Sequence, residues 1–187
     1  MNAEMIAALR EIENERNISF ESLLEALEAA LISAYKRNFG GEANAIVAID
    51  RQTGDYQVYH RRVVVPDGEV TDPKLELAKG EAGARYEPGD FYDEIVTPRD
   101  FGRIAAQTAK QVIVQRVREY ERTKQYNEFK DRVGEIINGV VKRTEYGNLM
   151  VDLGRAEALL RRDETIPREN LRNGDRVRAF IYDVREE

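Results

Sequence analysis

The chain has 187 residues, 42% hydrophobic and 34% charged, with a formal net charge of −6, no cysteine and one histidine. That is enough apolar material for one good core or two small ones, and too much for a disordered protein. The composition excludes a disulfide framework, a thiolate metal site, a thiol nucleophile and an apolar run near the roughly 20 residues of a membrane span.

The N-terminal stretch MNAEMIAALREIENER is charged and amphipathic where a secretory signal has a continuous apolar core, which predicts a soluble, cytoplasmic protein. Asn2 can cap a first helix in which Met5, Ile6, Leu9 and Ile12 recur at helical spacing. Asn17 and Ser19 interrupt it. A second helix follows, with Leu23, Leu24, Leu27, Leu31, Ala34 and Tyr35 on one stripe. It runs into Lys36 and Arg37, cations that suit a helix C-terminus, and Gly40-Gly41 stops it.

The period then changes from helical to alternating. AIVAID and YQVYHRRVVV are rich in β-branched and aromatic residues, and RQTGD between them is turn chemistry, so the pair reads as a β-hairpin. The Gly- and Pro-studded segment 66–90 reads as loop with one short element around Leu75–Ala78, and FYDEIV as a further strand. Thr97-Pro98-Arg99-Asp100 predicts a helix start, with Thr97 capping, Pro98 at the first helical position and Asp100 closing a capping box. From there to Gly134 only Gly102 interrupts the helix-forming residues, so a helix over 98–133 is expected to connect two bodies, the roughly thirty residues after Gly102 spanning about 45 Å. Ile104, Ala105, Ala109, Val112, Ile113, Val117 and Tyr120 form its apolar stripe, expected to cover the first sheet.

Charge is distributed unevenly along this plan. Residues 1–98 hold 10 Lys/Arg against 19 Asp/Glu, residues 99–133 hold 9 against 5, and residues 134–187 hold 10 against 11. The connecting helix is therefore basic within an acidic chain. Arg103 and Lys110 lie seven residues apart on a stripe away from the apolar one. Such a stripe is either a solvated face or a phosphate-contacting edge; one basic helix is by itself a weak nucleic-acid signal.

The last third has short strands with small turns: EIINGVVKRTE, NLMVDLG, AEALLRR, a polar stretch with Ile166-Pro167, and the long strand GDRVRAFIYDV. That spacing points to a small antiparallel barrel. Gly139, Val141, Tyr146, Gly147 and Val151–Gly154, followed by Glu157–Leu160, Glu164, Ile166, Pro167 and Gly174-Asp175, resemble an oligonucleotide-binding (OB) fold of the RNA-binding repeat type. FGRIAAQTAKQVIVQRVREYER, GEIINGVVKRTEYGNLMVDLG and LRRDETIPRENLRNGDRVRAFIYDVR, in that order, resemble the NusA family of bacterial transcription factors over nearly the whole chain.

The resemblance implies an α+β N-terminal domain over 1–133, including the long helix, followed by a partial OB-type barrel over 134–187. It implies a transcription elongation factor that binds core RNA polymerase at the flap region near the RNA exit, contacts nascent RNA, and modulates pausing, termination and antitermination. Other transcription factors are possible partners; a monomer with no membrane partner, no cofactor, no metal and no catalytic residues is expected. RNA-binding candidates implied in the first domain are Lys36, Arg37, Arg103 and Lys110, and in the barrel Lys142, Arg143, Tyr146 and Arg161.

Two departures accompany the resemblance. Where such repeats often offer a second stacking aromatic the chain reads Leu149-Met150, and where they often place His it has Arg161, so the barrel, at net −1, is expected to bind RNA weakly. The chain ends after IYDVREE, short of the last barrel strand and the KH domains the family continues with, so a piece of a longer protein is expected. The alternative is an RNA-binding accessory domain of an RNA-degrading enzyme, since the same barrel serves both. Against catalysis, His60 reads as a half-buried strand residue, Asp163 and Glu164 lie on a polar loop without a metal-spaced partner, and no phosphate-binding loop or nucleophile elbow occurs.

Overall fold

A computed structural model describes residues 2–40 and 44–186, and the chain divides into two compact units, 1–117 and 118–187. In the first unit, helix α1 spans Ala3–Arg16 and is capped as expected, the Asn2 side chain accepting from the Met5 N–H at 3.2 Å. Asn17 ends it in the left-handed region (φ 54°), which its short polar side chain tolerates. Ser19 accepts from the Ser22 N–H and opens helix α2, Phe20–Phe39, while the Glu13 carboxylate accepts from the Phe20 N–H and ties the two helices together. Gly40 follows as the C-cap; Gly41, the other expected stop residue, lies outside the described residues.

Strands β1 (Ala45–Ile49) and β2 (Tyr56–Val65) form the expected antiparallel hairpin. The short element near Leu75 is strand β3, Glu76–Ala78, which pairs parallel with the end of β2 and runs into a single helical turn, α3 (Lys79–Ala82). Strand β4, Phe91–Ile95, pairs antiparallel with β2. Leu9, Leu23, Leu24, Leu27, Leu31, Val58 and Phe101 are fully buried in one cluster that joins the two helices to one sheet face. Arg51 in the hairpin turn pairs with Glu21 and Glu28 of α2, and Glu28 also accepts from the Ile49 N–H, so one cation fixes the hairpin to the helix.

The long helix differs from expectation at its start. Helix α4 spans Phe101–Phe129, so Thr97 and Pro98 are not its cap and first residue. The Thr97 hydroxyl is engaged by β2 instead: it accepts from the Val58 N–H at 2.9 Å and donates to the Gln57 side chain. Pro98 opens a turn closed by the Phe101 N–H, and burial of Phe101 anchors the helix one turn later. Ala105 and Ala109 are buried on the expected stripe, with Ile104, Val112 and Ile113 partly buried against the same core. At 29 residues α4 measures about 44 Å, and it ends in a short 3-10 turn, Lys130–Arg132, before Gly134.

In the second unit, β5 (Ile136–Glu145), β6 (Asn148–Asp152), β7 (Glu157–Leu160) and β8 (Arg176–Phe180) form an antiparallel sheet in the order β7-β6-β5-β8. Val141, Leu149 and Val151 make its small core, backed by Leu153, Ala158, Leu160, Leu171 and Val177. Gly139 is required there by packing: a Cβ at that position would lie 2.3 Å from a Val151 methyl and 2.9 Å from the Asp152 carbonyl oxygen. Tyr146 (φ 51°) and Gly147 (φ 84°) turn β5 into β6 with both backbones left-handed, the conformation a two-residue hairpin loop needs. The last strand is shorter than the sequence predicts. It stops at Phe180, after which Ile181 accepts from the Gly134 N–H and donates to Glu135, holding the chain against the start of β5.

Candidate nucleic-acid interface

In the first unit, three of the four expected RNA-contacting cations lie close in sequence to members of an aromatic cluster. Tyr35 and Phe39 in the last turn of α2, Tyr56 on β2 and Phe101 at the start of α4 meet with Phe101 at the centre, its ring 6.0, 5.9 and 5.7 Å from those of Tyr35, Phe39 and Tyr56. Edge-to-face rings at these separations attract beyond their buried area, so the cluster pins the C-terminal end of α2 beside the N-terminal end of α4. Lys36 and Arg37 follow Tyr35 directly and are exposed, as is Arg103, two residues after Phe101. Lys110 stands two turns farther along α4, on the rim of an open apolar groove formed with Asn2, Met5, Ala109, Ile113 and Val114. Among the described residues none of these four cations forms an ion pair. For Lys36 and Arg37 the α2 dipole supplies a structural role as well; Arg103, at the N-terminal end of α4, has no such compensation.

The cations expected in the second unit are disposed differently. The β5–β6 register shifts between Val141 and Arg143, a bulge that leaves Lys142 without a cross-strand partner and lets both it and Arg143 reach Glu157 on β7. The Lys142 ammonium lies 2.6 Å from the Glu157 carboxylate and holds its pKa below the ordinary glutamate value, with Arg143 adding to the effect. Arg143 also binds Glu145, which raises its pKa. Arg161 pairs with Asp163 at 2.8 Å. Tyr146 alone of this set stands free: it is fully exposed at the tip of the β5–β6 turn.

Other cations of this unit were not singled out by sequence reasoning. Arg176 and Arg178 lie on the exposed face of β8 and form no ion pair among the described residues. The signal available in the sequence was the alternation in Arg176-Val177-Arg178-Ala179-Phe180, two cations and an aromatic at every second position of a strand.

His60 is a partly buried residue of β2. Its Nε2 lies 2.6 Å from the Lys74 carbonyl oxygen, fastening the loop after β2 to that strand. Asp163 and Glu164 fall in a 3-10 turn, Asp163 occupied by Arg161. Among the described residues no group of three or more His, Cys, Asp or Glu is placed to hold a metal ion, and no helix is long and apolar enough to cross a membrane.

Comparison with known proteins gives a consistent set of likenesses. A family profile described as the NusA N-terminal domain matches residues 4–123. A transcription termination/antitermination protein NusA of Halalkalibacterium halodurans is 48% identical over 187 residues, covering 98% of this chain and 48% of that protein. The protein of the same name from Bacillus subtilis is 47% identical over 98% of this chain and 50% of its own length, and that of Rickettsia conorii 41% identical over 100% and 37%. The chain thus spans about half the length of the curated relatives it matches, or less. The solution structure of the N-terminal domain of NusA from B. subtilis superposes with a TM-score of 0.57 at 52% identity, covering 65% of this chain and 99% of that one.

Proposed function

The chain belongs to the NusA family, and from that premise we propose that it acts in transcription elongation, docking on core RNA polymerase beside the exiting transcript and modulating pausing, termination and antitermination. In this reading residues 1–133 are the polymerase-binding domain, α4 connects it to the second unit, and residues 134–187 are part of an OB-type barrel. The nascent RNA, or a hairpin within it, lies along the edge where α2 ends and α4 begins, in contact with Lys36, Arg37, Arg103 and Lys110. The observation that carries the reading is the contrast between the two sets of expected cations. Among the described residues the four in the first unit form no ion pair, with Lys36, Arg37 and Arg103 close to the aromatic cluster in sequence and Lys110 two turns along α4, whereas Lys142, Arg143 and Arg161 are neutralised by carboxylates of their own unit.

Cations fixed on helices bind a polyanion with little ordering cost, and the counterions they release make the contact salt-dependent. The 19 acidic side chains of residues 1–98 keep that contact local, because phosphates are repelled from the rest of the unit. Tyr146 offers a stacking platform in the barrel, and the paired cations around it make that unit an accessory to RNA binding. The direct test is co-elution of the whole chain with purified core polymerase on gel filtration. A stoichiometric complex is expected, and separate elution at micromolar concentrations would remove the basis of the proposal.

A further inference from the structure

The sheet of the first unit ends on an edge strand, β4, that the proposed function leaves unused. In the β2–β4 ladder the Val64 N–H donates to the Asp90 carbonyl and the Val96 N–H to that of Val58. The alternation of an antiparallel pair therefore turns the backbone of Tyr92 and Glu94 toward β2 and that of Phe91, Asp93 and Ile95 away from it. No strand pairs with β4 on that far side, and among the described residues these three N–H and three carbonyl groups have no hydrogen-bond partner. Phe91 and Ile95, 56% and 63% exposed, flank the edge on the sheet face opposite the core. The other edge of the sheet is closed at Ile49, whose N–H donates to Glu28 and whose carbonyl accepts from Arg51. Edge strands are commonly blocked by a proline, a bulge or a free charge. β4 has an unbroken register and no proline, and β2 answers both its carboxylates: Asp93 accepts two hydrogen bonds from Arg61, and Glu94 one from Arg62.

We propose that β4 is a strand-addition site for an extended segment of a partner protein in which apolar and basic residues alternate, laid antiparallel along Phe91–Ile95. Segment residues opposite Phe91, Asp93 and Ile95 exchange backbone hydrogen bonds with them, which supplies the affinity of this mode of recognition. Their side chains share the outer face, where two apolar residues cover Phe91 and Ile95. The residues between them fall on the inner face, beside Tyr92 and Glu94. Glu94 is 54% exposed and holds Arg62 through one 3.2 Å contact, so an oxygen is left for a second cation. Charge selects a basic segment: residues 66–95 carry 9 Asp/Glu against 3 Lys/Arg. The same charge disfavours a second copy of this chain. Two β4 strands paired about a twofold axis would set Asp93 opposite its own copy and bring two acidic segments together.

The site needs neither RNA nor polymerase, so its failure and that of the proposed function are separate results. The whole chain is titrated into a fluorescein-labelled peptide of the order Gly-Val-Lys-Thr-Lys-Val-Gly, with anisotropy read across a salt series. Saturable binding is expected, the valines lying opposite Phe91 and Ile95 and the threonine opposite Asp93. Methylating the backbone nitrogens of the two valines and the threonine, which face β4, should abolish binding. Methylating those of the two lysines, which face away, should change affinity less than about threefold. Ile95→Pro removes no ladder hydrogen bond, since the Ile95 N–H points away from β2; it should keep the far-UV circular dichroism of the wild type and lose the peptide. Glu94→Gln should weaken binding and flatten its salt dependence. The proposal is overturned by absence of saturation up to about 1 mM peptide or by binding that survives methylation of the β4-facing nitrogens. A concentration-dependent dimer of the chain that Ile95→Pro dissolves would overturn it too, by making a second copy the occupant.

Discussion

Replacing Phe101 by Ala tests the aromatic cluster close to which three of the first unit's expected cations lie in sequence. Phe101 is wholly buried, and its ring touches those of Tyr35, Phe39 and Tyr56 at 5.7–6.0 Å between centroids. A buried Phe→Ala truncation costs about 3–5 kcal/mol, because the cavity walls relax only in part. With a urea dependence of about 2 kcal/mol per molar, the unfolding midpoint of the first unit should fall by roughly 2 M. The chain has no tryptophan and 9 tyrosines, so far-UV circular dichroism and tyrosine fluorescence are the suitable probes. Tyr35 and Tyr56 lie in the cluster itself and report on it locally. Tyr146→Ala, at a fully exposed position, is the control and should stay within about 0.5 kcal/mol of wild type. A midpoint shift below about 0.5 M for Phe101→Ala, or an equal shift in the control, would refute the claim that this ring organises the junction of α2 and α4.

Gly139→Ala places a methyl carbon 2.3 Å from Val151; it should destabilise the second unit by about 1–3 kcal/mol and leave the first unit's melting unchanged by calorimetry. Asp93 is held below the usual aspartate pKa chiefly by its two hydrogen bonds from Arg61, 2.7 and 2.8 Å long. The stability this confers is present above pH about 4 and is lost as pH falls through the lowered pKa. Asp93→Asn should therefore cost under about 1 kcal/mol at neutral pH, the pair being partly exposed, and the deficit relative to wild type should shrink in urea titrations as pH falls below the ordinary aspartate range. Val112→Ala and Ile113→Ala should each cost about 1 kcal/mol, less than Phe101→Ala, since both side chains are only partly buried.

The helices and the hairpin were readable because their signals are local. Asn2 sits where a cap is needed, leucines recur at 23, 24, 27 and 31, and Arg51-Gln52-Thr53-Gly54-Asp55 separates two β-rich runs. The true start of α4 was not readable, because Thr97 has an equally good use forty residues away in sequence, against Gln57 on β2. The same holds for the candidate site. Helix periodicity puts Arg103 and Lys110 on a stripe away from the apolar one, whereas Lys36 and Arg37 enter as RNA-contacting candidates only through the family resemblance. Neutralisation of Lys142 and Arg143 was hidden, since it depends on a bulge in β5 and on a carboxylate 14–15 residues later that only the β6–β7 register brings within reach. Arg176 and Arg178 were overlooked for the converse reason: a strand's alternate positions reveal a free face only once the opposite face is known to be core.

The central claim is that the free cations of the first unit touch nascent RNA on the polymerase. Its most direct measurement is the dwell time of core polymerase at a hairpin-dependent pause, with the wild-type chain and with Arg103→Ala plus Lys110→Ala, at low and at high salt. Both side chains are exposed, so the double variant should fold and bind polymerase as the wild type does. The account predicts a shorter pause with the variant, the difference being larger at low salt than at high salt because phosphate contacts gain from counterion release. Equal dwell times at low salt, with the variant shown to be bound to polymerase, would contradict it and leave the basic stripe a solvated helix face.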